Sequence, residues 1–201
     1  MQDKHYEVQN TRHAAYDINP IFLNRWSPRA FIDKQISDEI LLSLFEAARW
    51  APSASNLQPW RYILAQTKEE KQLFAEFILP ANAEWCLNAS VLALLISHTP
   101  TPSGGVNGSH AFDAGTSWGY LALEATRQGL SAHAMAGFDR DKARNLLNIP
   151  QEYEVHAVIA IGYHGNTESL SERNLEREQP SNRRSTVESL YKGTFGAAWT
   201  D

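Results

Sequence analysis

The chain has 201 residues and a formal net charge of −5, from 18 Lys and Arg residues against 23 Asp and Glu residues. This length favours a single domain, and a mildly acidic chain without a long basic run is a poor binder of nucleic acid or of a membrane surface. The single cysteine, Cys86, excludes an internal disulfide bond and a multi-thiolate metal site, which indicates a reduced, cytoplasmic protein. The longest strongly apolar run, residues 91–96, is far shorter than the roughly 20 residues that cross a bilayer.

Residues 1–24 form a polar leader that lacks the apolar segment of a signal peptide. We expect a single domain over residues 25–201. Its last part, residues 168–201, is charged and interrupted by Pro180, and it is too polar to form a core of its own. This C-terminal tail is therefore expected to wrap over another surface, such as that of a partner subunit.

Hydrophobic periodicity predicts four helices and three buried strands between the leader and the tail. The predicted helices are residues 37–50 with Ser37 as N-cap, 67–79 with a capping box from Thr67 to Glu70, 110–128, and 139–147 with Asp139 as N-cap. The predicted strands are residues 60–65, 91–98 and 155–163, and a loop covers residues 99–109. Because these elements do not alternate as in a doubly wound sheet, the predicted fold class is α+β.

Common nucleotide and metal motifs are absent from the sequence. Neither G-x-G-x-x-G after a strand nor G-x-x-x-x-G-K-[ST] occurs, and the seven histidines include no close ligand pair. Residues 115–119, G-T-S-W-G, match the G-x-S-x-G pattern of α/β-hydrolases. Because helical periodicity continues through Ser117 and no strand precedes it, a serine hydrolase is a distant alternative, with Asp139 and either His156 or His164 completing the triad.

Three polar clusters carry the chemical information. The first, R-W-S-P-R-A-F at residues 25–31, places two arginines around a serine before the first predicted helix. The second, A-P-S-A-S-N-L-Q-P-W at residues 51–60, gathers short hydrogen-bonding side chains between prolines, and the third is Arg183 with Arg184 in the tail. Together they offer cations for a phosphate group and amide or hydroxyl groups for a polar heterocycle.

The order of these clusters resembles the FMN-dependent nitroreductase family. R-W-S-P-R-A-F is followed about twenty residues later by A-P-S-A-S-N-L-Q-P-W-R-Y. Four later segments agree with the family, namely R-Q-G-L-S-A-H after the long helix, A-G-F-D at residues 136–139, A-I-G-Y at residues 160–163, and R-R-S-T-V-E-S-L in the tail. The resemblance covers residues 25–190, and several spaced motifs in one order make it more specific than any single pattern.

The resemblance implies an α+β sandwich, in which helices flank a central mixed sheet, and an intertwined homodimer that binds FMN at the subunit interface. Arg25 and Arg183, or its neighbour Arg184, would bind the FMN phosphate with support from Ser27. Arg29 would reach the N1 and C2-carbonyl edge of the isoalloxazine ring. The other implied cofactor-binding residues are Trp26; Pro52, Ser53, Ala54, Ser55, Asn56 and Gln58 from the partner subunit; and Ala136 and Gly137 at the flavin N5 edge.

The resemblance also implies an activity. Hydride from NADH or NADPH would reach flavin N5, and an oxidised acceptor such as a nitroaromatic or a quinone would then take two electrons in a ping-pong mechanism, so no side chain acts as a catalytic acid or base. Two positions depart from the family pattern, since Trp26 replaces a smaller or basic residue of many members and Ala136 replaces an acidic one of several. A flavin-binding module that senses redox state without turnover is an alternative function.

Overall fold

The computed structural model describes residues 12–199, and in this part of the chain seven α-helices and five β-strands form an α+β fold. The predicted α+β fold class is therefore confirmed. Residues 1–11, which make up the first part of the predicted leader, lie outside the described residues, as do residues 200 and 201. Among residues 12–199, no helix combines the length and the apolar character needed to cross a membrane.

The sheet contains five strands, of which the twelve-residue β5 is the centre. The strands are β1 (Phe31–Ile32), β2 (Trp60–Ala65), β3 (Val91–His98), β4 (Ser131–Met135) and β5 (Tyr153–His164). β3 pairs with one edge of β5 and carries β2 on its far side, whereas β4 and β1 pair with the other edge. Each of these pairings is antiparallel, so the prediction of a mixed sheet is wrong for the described strands.

Seven helices surround the sheet. They are α1 (Ile21–Asn24), α2 (Asp38–Arg49), α3 (Lys68–Ala75), α4 (Pro80–Cys86), α5 (His110–Arg127), α6 (Arg140–Leu146) and α7 (Glu172–Leu175). The predicted caps are present, since Ser37 accepts a hydrogen bond from the Ile40 amide and Thr67 forms a complete capping box with Glu70. α5 ends where the sequence indicated, because Gly129 adopts a φ of +72° directly after the helix.

Apolar side chains fill both faces of the sheet. On one face, Phe74, Trp85 and other residues of α3, α4 and α6 pack together. On the other face, a second cluster includes Leu44 of α2 and Leu121 of α5. Alternate residues of β3 contribute to the two clusters, which explains why seven of its eight residues are buried. The helices therefore flank the sheet as a sandwich.

Five elements were not predicted from the sequence, namely α1, α4, α7, β1 and β4. α1 and α7 have only four residues each, which is too short to show an apolar period. Pro80 was interpreted as the stop of the preceding helix, whereas it occupies the first turn of α4, a position where the missing N–H costs nothing. Consequently α3 ends at Ala75 instead of continuing to about residue 79. β4, with the sequence SAHAM, contains no β-branched residue, and the two residues of β1 are too few to show a period.

Candidate functional site

A cavity of about 630 Å³ lies between residues 25–29 and the beginning of the C-terminal tail. Its lining includes five of the residues predicted to bind a cofactor, namely Arg25, Trp26, Ser27, Arg29 and Arg183. It also includes residues that the sequence analysis did not select, among them Arg12, His133 and Arg177. The fold thus brings the first and third polar clusters together although more than 150 residues separate them in the chain.

The cavity is strongly cationic. Burial lowers the pKa of Arg25, and the positive charge of Arg183 lowers it further. Burial and the charges of Arg183 and Arg25 likewise lower the pKa of Arg12. The ion pairs found among residues 12–199 do not include Arg25 or Arg183. Neighbouring guanidinium groups such as those of Arg25 and Arg183 are stabilised by a bound anion, and phosphate is an anion whose geometry their planar donors match.

Arg12 connects the three segments that form the cavity. Its Nη1 donates hydrogen bonds to the carbonyl oxygens of Leu23 and Arg25 at 2.9 and 2.8 Å, and its Nε donates to the carbonyl oxygen of Ser181 at 2.9 Å. Within the cluster, Arg25 Nη1 also donates to Ser27 Oγ at 3.4 Å. These contacts hold the tail beside residues 23–27, where Arg183 faces the same space as Arg25.

Arg29 is attached to the tail at both its ends. Its guanidinium Nη1 donates to the carbonyl oxygen of Arg177 at 3.2 Å, and its backbone N–H donates to Glu178 Oε2 at 2.7 Å. The guanidinium carbon also lies 5.8 Å from the ring centroid of Trp85, within cation–π range. Burial and the charge of Arg177 lower the pKa of Arg29, while Glu178 opposes this effect.

A second cavity of about 780 Å³ adjoins the first and shares Arg12, Arg25 and Arg183 with it. It is the cavity that Arg184 lines, together with half-exposed apolar residues of the segment before Arg25, such as Phe22. Arg184 does not line the smaller cavity. The sequence left open which of the two tail arginines binds phosphate, and this placement favours Arg183.

The predicted loop of residues 52–58 lies elsewhere and lines neither cavity. Asp113 of α5, only 2% exposed, fixes this loop. Its Oδ2 accepts hydrogen bonds from Ser53 Oγ at 2.8 Å and from the Ala54 N–H at 3.0 Å. Ser53 Oγ in turn accepts the Gln58 N–H at 2.8 Å.

The backbone of this loop is strained. Ser55, Asn56 and Gln58 have φ values of +51°, +56° and +46°, in the left-handed region that non-glycine residues rarely occupy. Such conformations persist where surrounding contacts enforce them, and they cluster at functional sites. Asp113 binds Ser53 and Ala54, directly before the strained residues, and Ser53 Oγ binds the N–H of Gln58. These hydrogen bonds hold both ends of the strained segment.

Ala136 and Gly137 follow β4 and form a turn against α4, outside the lining of both cavities. The Gly137 carbonyl oxygen accepts hydrogen bonds from the Leu79 N–H at 3.0 Å and from Asn82 Nδ2 at 3.1 Å. A Cβ atom on Gly137 would overlap with Asn82 Nδ2. The glycine therefore permits a close approach to α4.

The serine-hydrolase alternative is contradicted by the structure. Ser117 lies inside α5, is completely buried, and exchanges a 2.8 Å hydrogen bond with the hydroxyl group of Tyr62. Burial raises the pKa of Tyr62 to about 12, so this partner cannot act as a base near neutral pH. A hydrolase serine requires an exposed position on a sharp strand-to-helix turn. The G-x-S-x-G match is therefore a helix-packing sequence.

The sequence contained a signal for one of the missed residues. Asp113 lies on the buried stripe of α5 with Ser117 and Leu121, four and eight residues further on. A carboxylate at such a position must be hydrogen-bonded, because an isolated buried charge is costly. No comparable pattern marks Arg12, His133, Arg177 or Glu178, whose proximity depends on the tertiary fold.

An α+β sandwich with a cationic cavity between its two terminal segments is suited to a phosphorylated cofactor. Comparisons with known proteins agree with this class. The chain is 40% identical to a crystallised oxidoreductase containing FMN, with a TM-score of 0.89 over 95% of this chain and 99% of that one. A nitroreductase family protein from Clostridium difficile shares the fold, with 22% identity and a TM-score of 0.70 over 90% and 100% of the two chains.

Curated relatives and the family model give a closer assignment. The chain is 27% identical over 177 residues to the NADH dehydrogenase of Thermus thermophilus. This alignment covers 73% of this chain and 86% of that protein. The model of the Nitroreductase family matches residues 22–99 and 80–163. The chain belongs to the nitroreductase family, and the resemblance found in its motifs is thereby confirmed.

Proposed function

We propose that this protein is an FMN-dependent oxidoreductase, a single domain over residues 25–201, that uses NADH or NADPH to reduce a small oxidised acceptor. The observation that carries the proposal is the 630 Å³ cavity, where Arg25 and Arg183 face the same space and form no ion pair with any carboxylate of residues 12–199. Its size lies within the roughly 300–1,000 Å³ of cofactor sites. The names of the FMN-containing oxidoreductase and of the NADH dehydrogenase among its relatives support the cofactor and the donor.

The redox chemistry would be supplied by bound FMN, which would allow hydride transfer from NADH or NADPH and two-electron reduction of an acceptor such as a nitroaromatic or a quinone. The side chains hold and tune the cofactor. Arg25 and Arg183 bind the phosphate, and Ser27, which accepts a hydrogen bond from Arg25, orients that guanidinium. Arg29 supplies positive charge at the flavin N1 and C2-carbonyl edge, where reduction places negative charge. The Trp26 ring contacts the His164 ring edge-on, with centroids 5.5 Å apart, and lines the cavity next to Arg25.

The loop of residues 52–58 reaches the cofactor from a second copy of the chain. Two features support a homodimer. The loop is pre-formed by Asp113 but lines no cavity within its own chain. The outer surface of α2 and α5 beside it is apolar and open, with Leu42, Trp50 and Phe112 exposed by 64%, 67% and 79%. A twofold dimer across this surface would present Pro52, Ser53, Ala54, Ser55, Asn56 and Gln58 to the partner's arginine cavity.

A visible absorption spectrum of the purified protein tests the cofactor and the donor. We expect a bound flavin that bleaches when NADH or NADPH is added without oxygen and that recovers when a quinone is added. Flavin that bleaches but is not reoxidised by any acceptor would favour the redox-sensing module, which lacks turnover. A protein that binds no FMN even after incubation would contradict the proposal.

Mixing two variants tests the shared site. Arg29→Ala disables the arginine half, and Ser53→Ala disables the loop half, so each variant alone should bind FMN weakly. In a mixture that exchanges subunits, half of the dimers combine the two variants, and each of these holds one intact site, so about a quarter of wild-type FMN binding returns. Additive binding without any gain on mixing would show that the site lies within one chain.

A further inference from the structure

Two buried titratable side chains hold the backbone on either side of Arg29. Glu178 Oε2 accepts the Arg29 N–H at 2.7 Å, and Glu178 Oε1 accepts the Ala30 N–H at 3.0 Å. His133 Nδ1 lies 2.8 Å from the carbonyl oxygen of Pro28. Two successive peptide groups, Pro28–Arg29 and Arg29–Ala30, are therefore bound by side chains from β4 and from the tail, which are remote from residues 28–30 in the sequence.

The Glu178 carboxylate is built into this position. Its side chain is only 2% exposed, and its third contact is His164 Nε2 at 3.2 Å. Burial alone raises the pKa of Glu178, but the hydrogen bonds from His164, Ala30 and Arg29 outweigh it and hold the pKa below its usual range. The charged carboxylate thus forms the charge-assisted hydrogen bonds with backbone N–H groups that are stronger than neutral ones.

The protonation state of His133 follows from its partner. A carbonyl oxygen can only accept, so Nδ1 of His133 must carry the proton that is donated to Pro28. The ring also packs on Trp85, with centroids 4.6 Å apart, and burial is the main reason that the pKa of His133 falls to about 4. Near neutral pH the ring is therefore neutral and adds no charge beside Arg29.

The guanidinium end of Arg29 depends on the same tail segment. Its Nη1 donates to the carbonyl oxygen of Arg177, the residue directly before Glu178. Both ends of Arg29 are thus attached to two adjacent residues, and His133 fixes the peptide group before it. The Arg29 side chain, which could otherwise adopt many rotamers, is in this way held along the wall of the cavity that it lines.

We propose that Glu178 and His133 are positioning residues that fix Arg29 for its contact with the flavin ring, and thereby set how strongly the protein favours reduced over oxidised flavin. This inference rests on the proposed function, because it assumes that Arg29 faces FMN. Neither residue needs to touch the cofactor. Their role is preorganisation, in which the cost of ordering Arg29 is met before the cofactor binds.

The test is Glu178→Gln in the full-length protein. The glutamine amide nitrogen cannot accept, so one of the two N–H groups loses its acceptor and Arg29 gains freedom. We expect the affinity ratio of reduced to oxidised FMN to fall about tenfold, which lowers the two-electron potential by about 30 mV. Glu168→Gln, which removes an exposed carboxylate from the same tail, is the matched control and should leave the potential unchanged.

Three further measurements separate positioning from a merely structural role. In an Arg29→Ala background, Glu178→Gln should shift the potential no further, because the residue that it positions is gone. His133→Asn keeps a donor for the Pro28 carbonyl oxygen and should keep the wild-type potential, whereas His133→Leu should lower it as Glu178→Gln does. Amide hydrogen exchange of Arg29 and Ala30, which needs no FMN, should be about tenfold faster in Glu178→Gln.

The outcomes distinguish this inference from the proposed function. Loss of stability in Glu178→Gln with an unchanged potential would leave Glu178 as a structural residue and overturn the inference alone. An equal shift in the Arg29→Ala background would do the same. Failure of the wild-type protein to bind FMN would overturn the proposed function together with this inference, whatever the exchange rates of the two amides.

Discussion

The two halves of the proposed cofactor site, the arginine cavity and the loop of residues 52–58, are held in opposite ways. The cavity gathers cations from three separate segments, and its guanidinium groups repel one another, as the pKa of Arg25 lowered by burial and by Arg183 indicates. The loop contains no charged residue, and one buried carboxylate, Asp113, binds it to α5. The arginine cavity thus contains cations that repel one another, whereas the loop is already held in its conformation by hydrogen bonds.

This difference predicts that ligand binding affects the stability of the two halves differently. Mutual repulsion in the cavity is relieved when an anion binds, so ligand binding and local stability are coupled there. The loop gains nothing comparable from a ligand, because its strained backbone is already enforced by hydrogen bonds inside one chain. We therefore expect the loss of a cavity cation to weaken FMN binding without destabilising the apo-protein, whereas the loss of a contact that holds the loop should destabilise the apo-protein in addition to any effect on FMN binding.

The largest effect is expected for Arg25→Ala. Charge-assisted hydrogen bonds contribute about 1.5–3 kcal/mol each, so the loss of this guanidinium should weaken FMN binding about 100-fold. Fluorescence titration of the apo-protein measures this affinity. Arg184→Ala should weaken binding far less, and Lys68→Ala, which removes an exposed cation on α3, should have no effect. Equal losses in Arg25→Ala and Arg184→Ala would place the phosphate in the larger cavity instead.

The pH dependence of stability provides a second test of the cavity half. The pKa of His133 falls from 6.5 to about 4 on folding, so the unfolded chain binds more protons between these values and the unfolding free energy decreases as pH falls through this window. Between pH 7 and pH 5 the decrease from this group is about 2 kcal/mol. Urea unfolding should show a shallower pH dependence in His133→Asn, whereas His13→Asn, at an exposed position, should behave like the wild type.

A smaller effect is expected on the loop half, for Asp113→Asn. The asparagine amide cannot accept both the Ser53 hydroxyl and the Ala54 N–H with the strength of a carboxylate, so the unfolding free energy should fall by about 1 kcal/mol. Urea unfolding of the apo-protein measures it, with Asp141→Asn, at an exposed position of α6, as control. If Asp113→Asn reduced FMN affinity while stability remained intact, the two halves would not differ as described.

The smallest effect is expected for Ser55→Gly. Glycine occupies a φ of +51° without steric cost, which relieves strain of about 1–2 kcal/mol, while its greater freedom in the unfolded chain removes part of the gain. The net change should be a stabilisation of about 0.5 kcal/mol. Thermal unfolding of the apo-protein detects it as a small rise in Tm. A decrease in Tm would mean that the serine side chain contributes more than the strained backbone costs.

Local patterns in the sequence determined much of the fold. α2, α5 and α6 begin within one residue of the predicted start because caps and apolar periodicity act over a few neighbouring residues. β2 and β3 were predicted with their observed bounds because buried strands need a short continuous apolar run. The antiparallel sheet and β4 were not predicted, since strand pairing depends on contacts between remote segments.

The sequence by itself also determined the family and the residue types of the site, because spaced motifs such as R-W-S-P-R-A-F persist in the chain whatever its conformation. Only the tertiary structure decided that Arg25 and Arg183 face one cavity, that Arg184 faces another, and that the loop of residues 52–58 faces neither. The physical reason is that charge repulsion, burial of Glu178 and the neutral state of His133 arise from distances between segments, and these distances exist only after the chain has folded.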